Sequence, residues 1–249
     1  MNDIKEIEEY YAQGNLVSAL KKAEEVIKQN PSKDAYNLLG KILKELGEDD
    51  KAIDAFMKAG NYVEVAKIYI SKGMYKEALK ALSNVNDKEA RLLKALAYLK
   101  LEEYEKAKEE LNGLEDSSPL FYKVKGIIDY YTGDSYDALR ELSIAVSLYP
   151  LDAELYYFRA LTKMKLGLNA EDDLNTAMNL NPYFAEVYFS KGVLLENEGK
   201  LEEAITYYSK AINLNPEYIQ AYVRRAKTYM KLGKEEEAIE DIKKVSDRK

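Results

Sequence analysis

Lys94, Lys125, Arg159, Lys191 and Arg225 each stand immediately before a small residue: Ala95, Gly126, Ala160, Gly192 or Ala226. Five bases in register could form a ladder for nucleic acid or for a carboxylate-bearing ligand. Sixteen residues on from three of them stands an acid: Glu110 after Lys94, Glu141 after Lys125 and Asp241 after Arg225. Arg159 has Asp173 fourteen residues on, across a turn that has lost two residues. Where Leu39 and Val65 replace the base, Ala55 and Ala81 stand at the partner position, and near the start of the chain the signs reverse, Glu6 with Lys22. Base and acid vary together, so the column reads as a contact between two helices of a hairpin, ionic in five units and apolar in two. Lys191, opposite Tyr207, departs from the pattern. The bases are therefore expected to be spent internally and not free for phosphate.

Other chemistry is scarce. With no histidine and no cysteine, Ser/His/Asp and Cys/His arrangements are excluded. Zinc would rest on carboxylates alone, against its usual ligand set. The stretch GEDDKAIDAF has carboxylates but not the glycine and final glutamate of a calcium loop, and no glycine-rich phosphate loop occurs. No catalysis, cofactor or metal is expected. A formal net charge of −7 opposes binding to a phosphate backbone, so no nucleic acid is expected. The opening MNDIKEIEEYY lacks the apolar core of a signal peptide, and no apolar run is long enough to span a membrane. The absence of cysteine fits a reducing cytoplasm, the expected location.

The elements that position the column follow from punctuation. The word NLNP occurs at Asn179–Pro182 and again at Asn213–Pro216, 34 residues on. Gly14, Gly47, Gly73, Gly133, Gly167, Gly199 and Gly233 recur through the chain, with Glu102 filling the slot between Gly73 and Gly133. Five residues after most of these sits an alanine. Glycine supplies a left-handed helix cap, and facing small residues let two helices approach closely. Proline lacks an N–H and pushes its predecessor out of helical geometry, so NLNP ends one hairpin before the next begins.

The segment YFSKGVLLENEGKLEEAITYYSKAINLNP, Tyr188–Pro216, resembles a tetratricopeptide repeat in its aromatic–small–apolar, Ala–aromatic–Ala and proline spacings. The resemblance extends over the chain as eight units, near 1–32, 33–60, 61–87, 88–118, 119–152, 153–184, 185–218 and 219–249. It implies an all-α fold: a right-handed superhelical solenoid of about eight antiparallel helix-turn-helix units, forming one domain over 1–249. It further implies that one side of each first helix lines a concave channel where a protein or peptide partner binds.

Helical periodicity places a second stripe three before, two before, one after and four after each small residue. In the middle units it reads Leu92, Leu93, Leu96, Leu99, Val124, Ile127, Tyr130, Tyr157, Phe158, Leu161, Met164, Phe189 and Val193. The expected channel is apolar there and polar and basic at its ends, a surface suited to a partner's helix or extended peptide. The same stripe read as core, or as self-packing, remains open, because Asp129 and Lys163 stand where core residues are expected. Arg224, Lys227 and Lys231 are candidates for holding a partner's acidic end, or form a solvated charged face. In the family's carboxylate clamp for heat-shock chaperone tails, only Arg224 matches here, which argues against that ligand. The expected function is therefore a protein-interaction scaffold. The alternative is a structural subunit acting through homo-oligomerisation, by way of Ile239, Ile242 and Val245 in the last hairpin.

Overall fold

The computed structural model describes residues 2–247, and among these every regular element is an α-helix. The packing divides the chain between Asp116 and Ser117 into two compact units. The first holds α1 (Asn2–Ala12), α2 (Leu16–Gln29), α3 (Lys33–Glu45), α4 (Asp49–Ala59), α5 (Tyr62–Ser71), α6 (Tyr75–Ala81), α7 (Lys88–Lys100) and α8 (Tyr104–Leu111). The second holds α9 (Pro119–Thr132), α10 (Ser135–Leu148), α11 (Ala153–Lys165), α12 (Glu171–Leu180), α13 (Ala185–Asn197), α14 (Leu201–Leu214), α15 (Ile219–Lys231) and α16 (Glu235–Ser246). Each odd-numbered helix packs on the next as a hairpin, and hairpins stack so that α11 also touches α9 on one side and α13 on the other.

Local chemistry sets these boundaries. Ser32, Asp87 and Ser118 accept hydrogen bonds from the backbone N–H three residues on, and Pro119 occupies the first turn after Ser118. Gly133 closes α9 at φ 94°. Glu102, in the slot that glycine fills elsewhere, adopts φ 60°, alone among the described non-glycine residues. The two NLNP words fold alike. Asn181 and Asn215 leave the helix in extended geometry, and their side chains accept from the backbone N–H of Tyr183 and Glu217, each at 3.1 Å.

Close approach of the two helices in a hairpin depends on the small residue of the first. A Cβ on Gly40, Gly126 or Gly192 would lie 2.7 Å from the Phe56 ring, 2.7 Å from Leu142 Cγ or 2.6 Å from the Tyr208 ring. Each of these large side chains stands sixteen residues after its glycine and is buried. Volume removed from one helix is thus filled from the other, as close-packed interiors require.

Candidate partner-binding face

The ionic column forms largely as spacing predicts. Lys125 Nζ lies 2.9 Å from Glu141 Oε1. Arg159 grips Asp173 through Nε at 2.9 Å and Nη2 at 2.6 Å, and Arg225 grips Asp241 at 2.8 and 2.6 Å. Lys22 and Glu6 pair with reversed sign at 2.9 Å. In the apolar versions, Ala55 and Val65 belong to the core, with Leu39 and Ala81 packed against it. The expected Lys94–Glu110 pair is not among the contacts. Lys94 donates instead to Asn86 Oδ1 at 2.9 Å, and Arg91 approaches Glu110 at 3.9 Å. Lys191 reaches back to Glu171 of the preceding hairpin at 2.6 Å. Asp129 and Lys163 stand at the position three after their small residues, on α9 and α11. They join the column, bonding Lys125 at 3.1 Å and Asp173 at 2.8 Å.

These contacts fix how each first helix is rotated, and the rotation corrects part of the expected channel. Leu92, Leu93, Leu99, Val124, Ile127 and Phe158 are buried, so they are core residues and cannot line an open surface. The position two before the small residue points at the neighbouring hairpin. Leu93 packs with Ala66, Ala78 and Leu82, and the Phe158 ring sits edge-on to Tyr130 and Tyr131 at 5.6 and 5.8 Å. On α7, Leu96 remains half-buried. In the second unit Tyr130, Tyr157, Leu161, Met164, Phe189 and Val193 also stay half-buried, on α9, α11 and α13. These are the predicted residues that the fold leaves reachable.

Two residues that the stripe omitted join this face. Tyr218, at the start of α15, sets its ring 5.0 Å from Phe189, and Phe184 lies 4.9 Å from Tyr157. Both precede their helices, where a periodicity argument does not reach; aromatic residues two after the NLNP prolines are the signal that could have found them. Burial, and then the neighbouring Tyr218, Glu186 and Tyr130, hold the Tyr157 phenol well above the ordinary range against the lowering effect of Ser190.

The expected basic ends are largely neutralised. In the first unit Lys44 and Lys67 meet Glu64 at 2.9 and 2.7 Å, and Lys67 also meets Glu89 at 2.6 Å. In the second, Lys231 and Arg224 turn onto Glu196, at 2.7 and 3.5 Å, and the Tyr208 hydroxyl donates to the same carboxylate at 2.6 Å. Burial pushes the Glu196 carboxyl upward. The Lys231 and Tyr208 hydrogen bonds and the nearby cations outweigh this and hold it below the usual carboxylate range. An acid of the chain itself therefore occupies the place proposed for a partner's acidic end. Lys227 is exposed beside them. Among the described residues no group of His, Cys, Asp and Glu could hold a metal ion, and no helix is long and apolar enough to cross a membrane.

Comparison with known proteins agrees with this architecture. Family models described as tetratricopeptide repeat match residues 4–62, 88–119 and 219–249, and one described as TPR repeat matches 197–233. A TPR repeat-containing protein of Methanocaldococcus jannaschii is 29% identical over 70% of this chain, and human tetratricopeptide repeat protein 6 is 28% identical over 64%. The chain spans about a third of these relatives, 30% and 32% of their lengths. Among solved structures, Cut9 with Hcn1, from a hetero-tetramer of the APC/C, superposes with a TM-score of 0.69 at 16% identity, over 89% of this chain and 48% of that one. That likeness speaks to the fold. With the repeated punctuation, the paired helices and the matched repeats together, the chain belongs to the tetratricopeptide-repeat family.

Proposed function

We propose that the protein is an interaction scaffold whose second unit receives a segment of a partner protein on the aromatic and apolar face of its first helices. One observation carries the reading. Tyr130, Tyr157, Leu161, Phe189 and Val193 stay half-exposed on three adjoining helices, while the neighbouring stripe on the same helices is buried. Exposed apolar side chains grouped in this way mark contact surfaces. Each well-buried partner side chain contributes about 1.5–3 kcal/mol, so three or four, less ordering costs, give affinity on the order of micromolar. The test is selection of binders from a displayed peptide library, followed by titration into the wild type and into Leu161→Glu with Val193→Glu. Binding lost in the variant at unchanged helicity supports the face; equal binding in both discards it.

A second reading, self-assembly, is favoured by α16. Ile239 and Ile242 are 50% and 52% exposed, beside Met230 of α15 at 54%. Ile242, Met230, Val223 and Ala226 line a cleft of about 220 Å³. An acidic first turn, Glu235–Glu237, and a basic last turn, Lys243 and Lys244, make the helix complementary to an antiparallel copy of itself. Light scattering of the wild type and Ile239→Glu tests it: a monomer mass in both removes the reading.

A further inference from the structure

The face proposed for partner binding is not uniformly apolar, and the Glu186 carboxylate on it carries a further inference that rests on that reading. Glu186, Phe189, Ser190 and Val193 occupy one side of α13, at the three- and four-residue spacings that bring helical side chains together. Tyr157 of α11 meets Phe184, just before α13, at 4.9 Å, and Tyr218, just before α15, meets Phe189 at 5.0 Å. Glu186 therefore stands in the chain between Phe184 and Phe189, the two rings that Tyr157 and Tyr218 contact. It is half-exposed, and no cation of the described residues is found on it, whereas Glu154, Glu64 and Glu196 all have theirs. The charge of Glu186 also raises both phenols, Tyr218 after burial and Tyr157 after burial and its neighbour Tyr218.

The same row of aromatics already takes up a cation at one point. Lys165 Nζ stands 3.7 Å from the centre of the Tyr130 ring while donating to the Tyr130 carbonyl at 2.9 Å. Ring faces attract cations, and a carboxylate at the rim adds a counter-charge. At Tyr157 and Tyr218 the rings and the carboxylate are present, and the chain supplies no cation of its own among the described residues.

We infer that this part of the face selects a partner segment bearing an arginine or lysine between apolar residues, the cation seated among Tyr157, Phe189 and Tyr218 against Glu186. The overall charge of −7 favours the encounter with such a segment.

The probes are acetyl-Leu-Arg-Leu-amide and its citrulline analogue, which keeps the shape but carries no charge, a carbonyl oxygen standing in place of one guanidinium nitrogen. Both are titrated by NMR into the 249-residue protein, its Glu186→Gln variant and its Tyr157→Leu variant. The arginine peptide is expected to bind about tenfold more tightly than the citrulline peptide. That preference falls to about twofold or less in Glu186→Gln, and Tyr157→Leu weakens the arginine peptide more than the neutral one. Equal binding of the two peptides to the wild type overturns the cation site and leaves the apolar face standing. A preference that survives in Glu186→Gln likewise overturns it, and failure of both peptides to bind overturns the site and the face together.

Discussion

Asp173 offers the sharpest test of how the hairpins are held. Its carboxylate is buried and accepts from Arg159 at 2.9 and 2.6 Å and from Lys163 at 2.8 Å, with side-chain exposure of 5% against 18% and 25% for the bases. Asp173→Ala leaves two cations facing each other. Breaking a fully buried pair costs about 3–5 kcal/mol. Here both bases reach solvent at their tips, so about 2–3 kcal/mol is expected. The other hairpins supply the control, because Leu39 with Ala55 fills the same two positions without charge. Arg159→Leu with Asp173→Ala should therefore cost no more than about 1 kcal/mol, less than the single change. Urea unfolding followed by far-UV circular dichroism measures both, with hydrogen exchange locating the loss at α11 and α12, since repeat arrays open by segments. Burial raises the Asp173 carboxyl, but the Arg159 and Lys163 hydrogen bonds and charges outweigh it and depress it. A depressed folded value means stability that is present above the unfolded carboxyl pKa of about 3.9 and lost as pH falls through the folded one. Both variants should lose that part of the acid dependence. If the double change costs as much as the single one, the ionic and apolar pairs are not interchangeable and the column is not the structural contact described.

Glu196→Gln should loosen α15 against α13, through its bonds to Lys231 and Arg224, and should flatten the acid-side fall in stability, because the folded carboxyl lies below its ordinary value; hydrogen exchange at α15 against pH reads this. Gly192→Ala puts a methyl 2.6 Å from the Tyr208 ring and should cost about 1–3 kcal/mol in urea unfolding. Glu102→Gly, at φ 60°, should be neutral or stabilising by up to about 1 kcal/mol, whereas Glu102→Val should destabilise; thermal melts of the pair check the sign.

Much of this architecture was legible because eight copies of one hairpin sit in one chain. The glycine series, Glu102 included, marked the left-handed turns, and NLNP marked the ends of α12 and α14. Covariation of bases and acids found the pairs of Lys125, Arg159 and Arg225. It misassigned Lys94, because Asn86, in the loop before α7, competes for the ammonium, a contact outside the repeat register. The face was legible in its spacing but not in its depth. Leu161 and Phe158 are both apolar residues of α11, and which one faces outward depends on a rotation of tens of degrees, set by Arg159 on Asp173 and by Phe158 wedging against α9. The acidic residue that meets Arg224 and Lys231 comes from the hairpin before, a pairing that single-unit periodicity does not contain.

The most direct test places a bound segment on the surface. With a library-selected peptide bound to the second unit in the intact chain, intermolecular NOEs are predicted between peptide side chains and Tyr157, Leu161, Phe189 and Val193. NOEs confined to the second helices α10, α12 and α14 would contradict partner binding on the first-helix face.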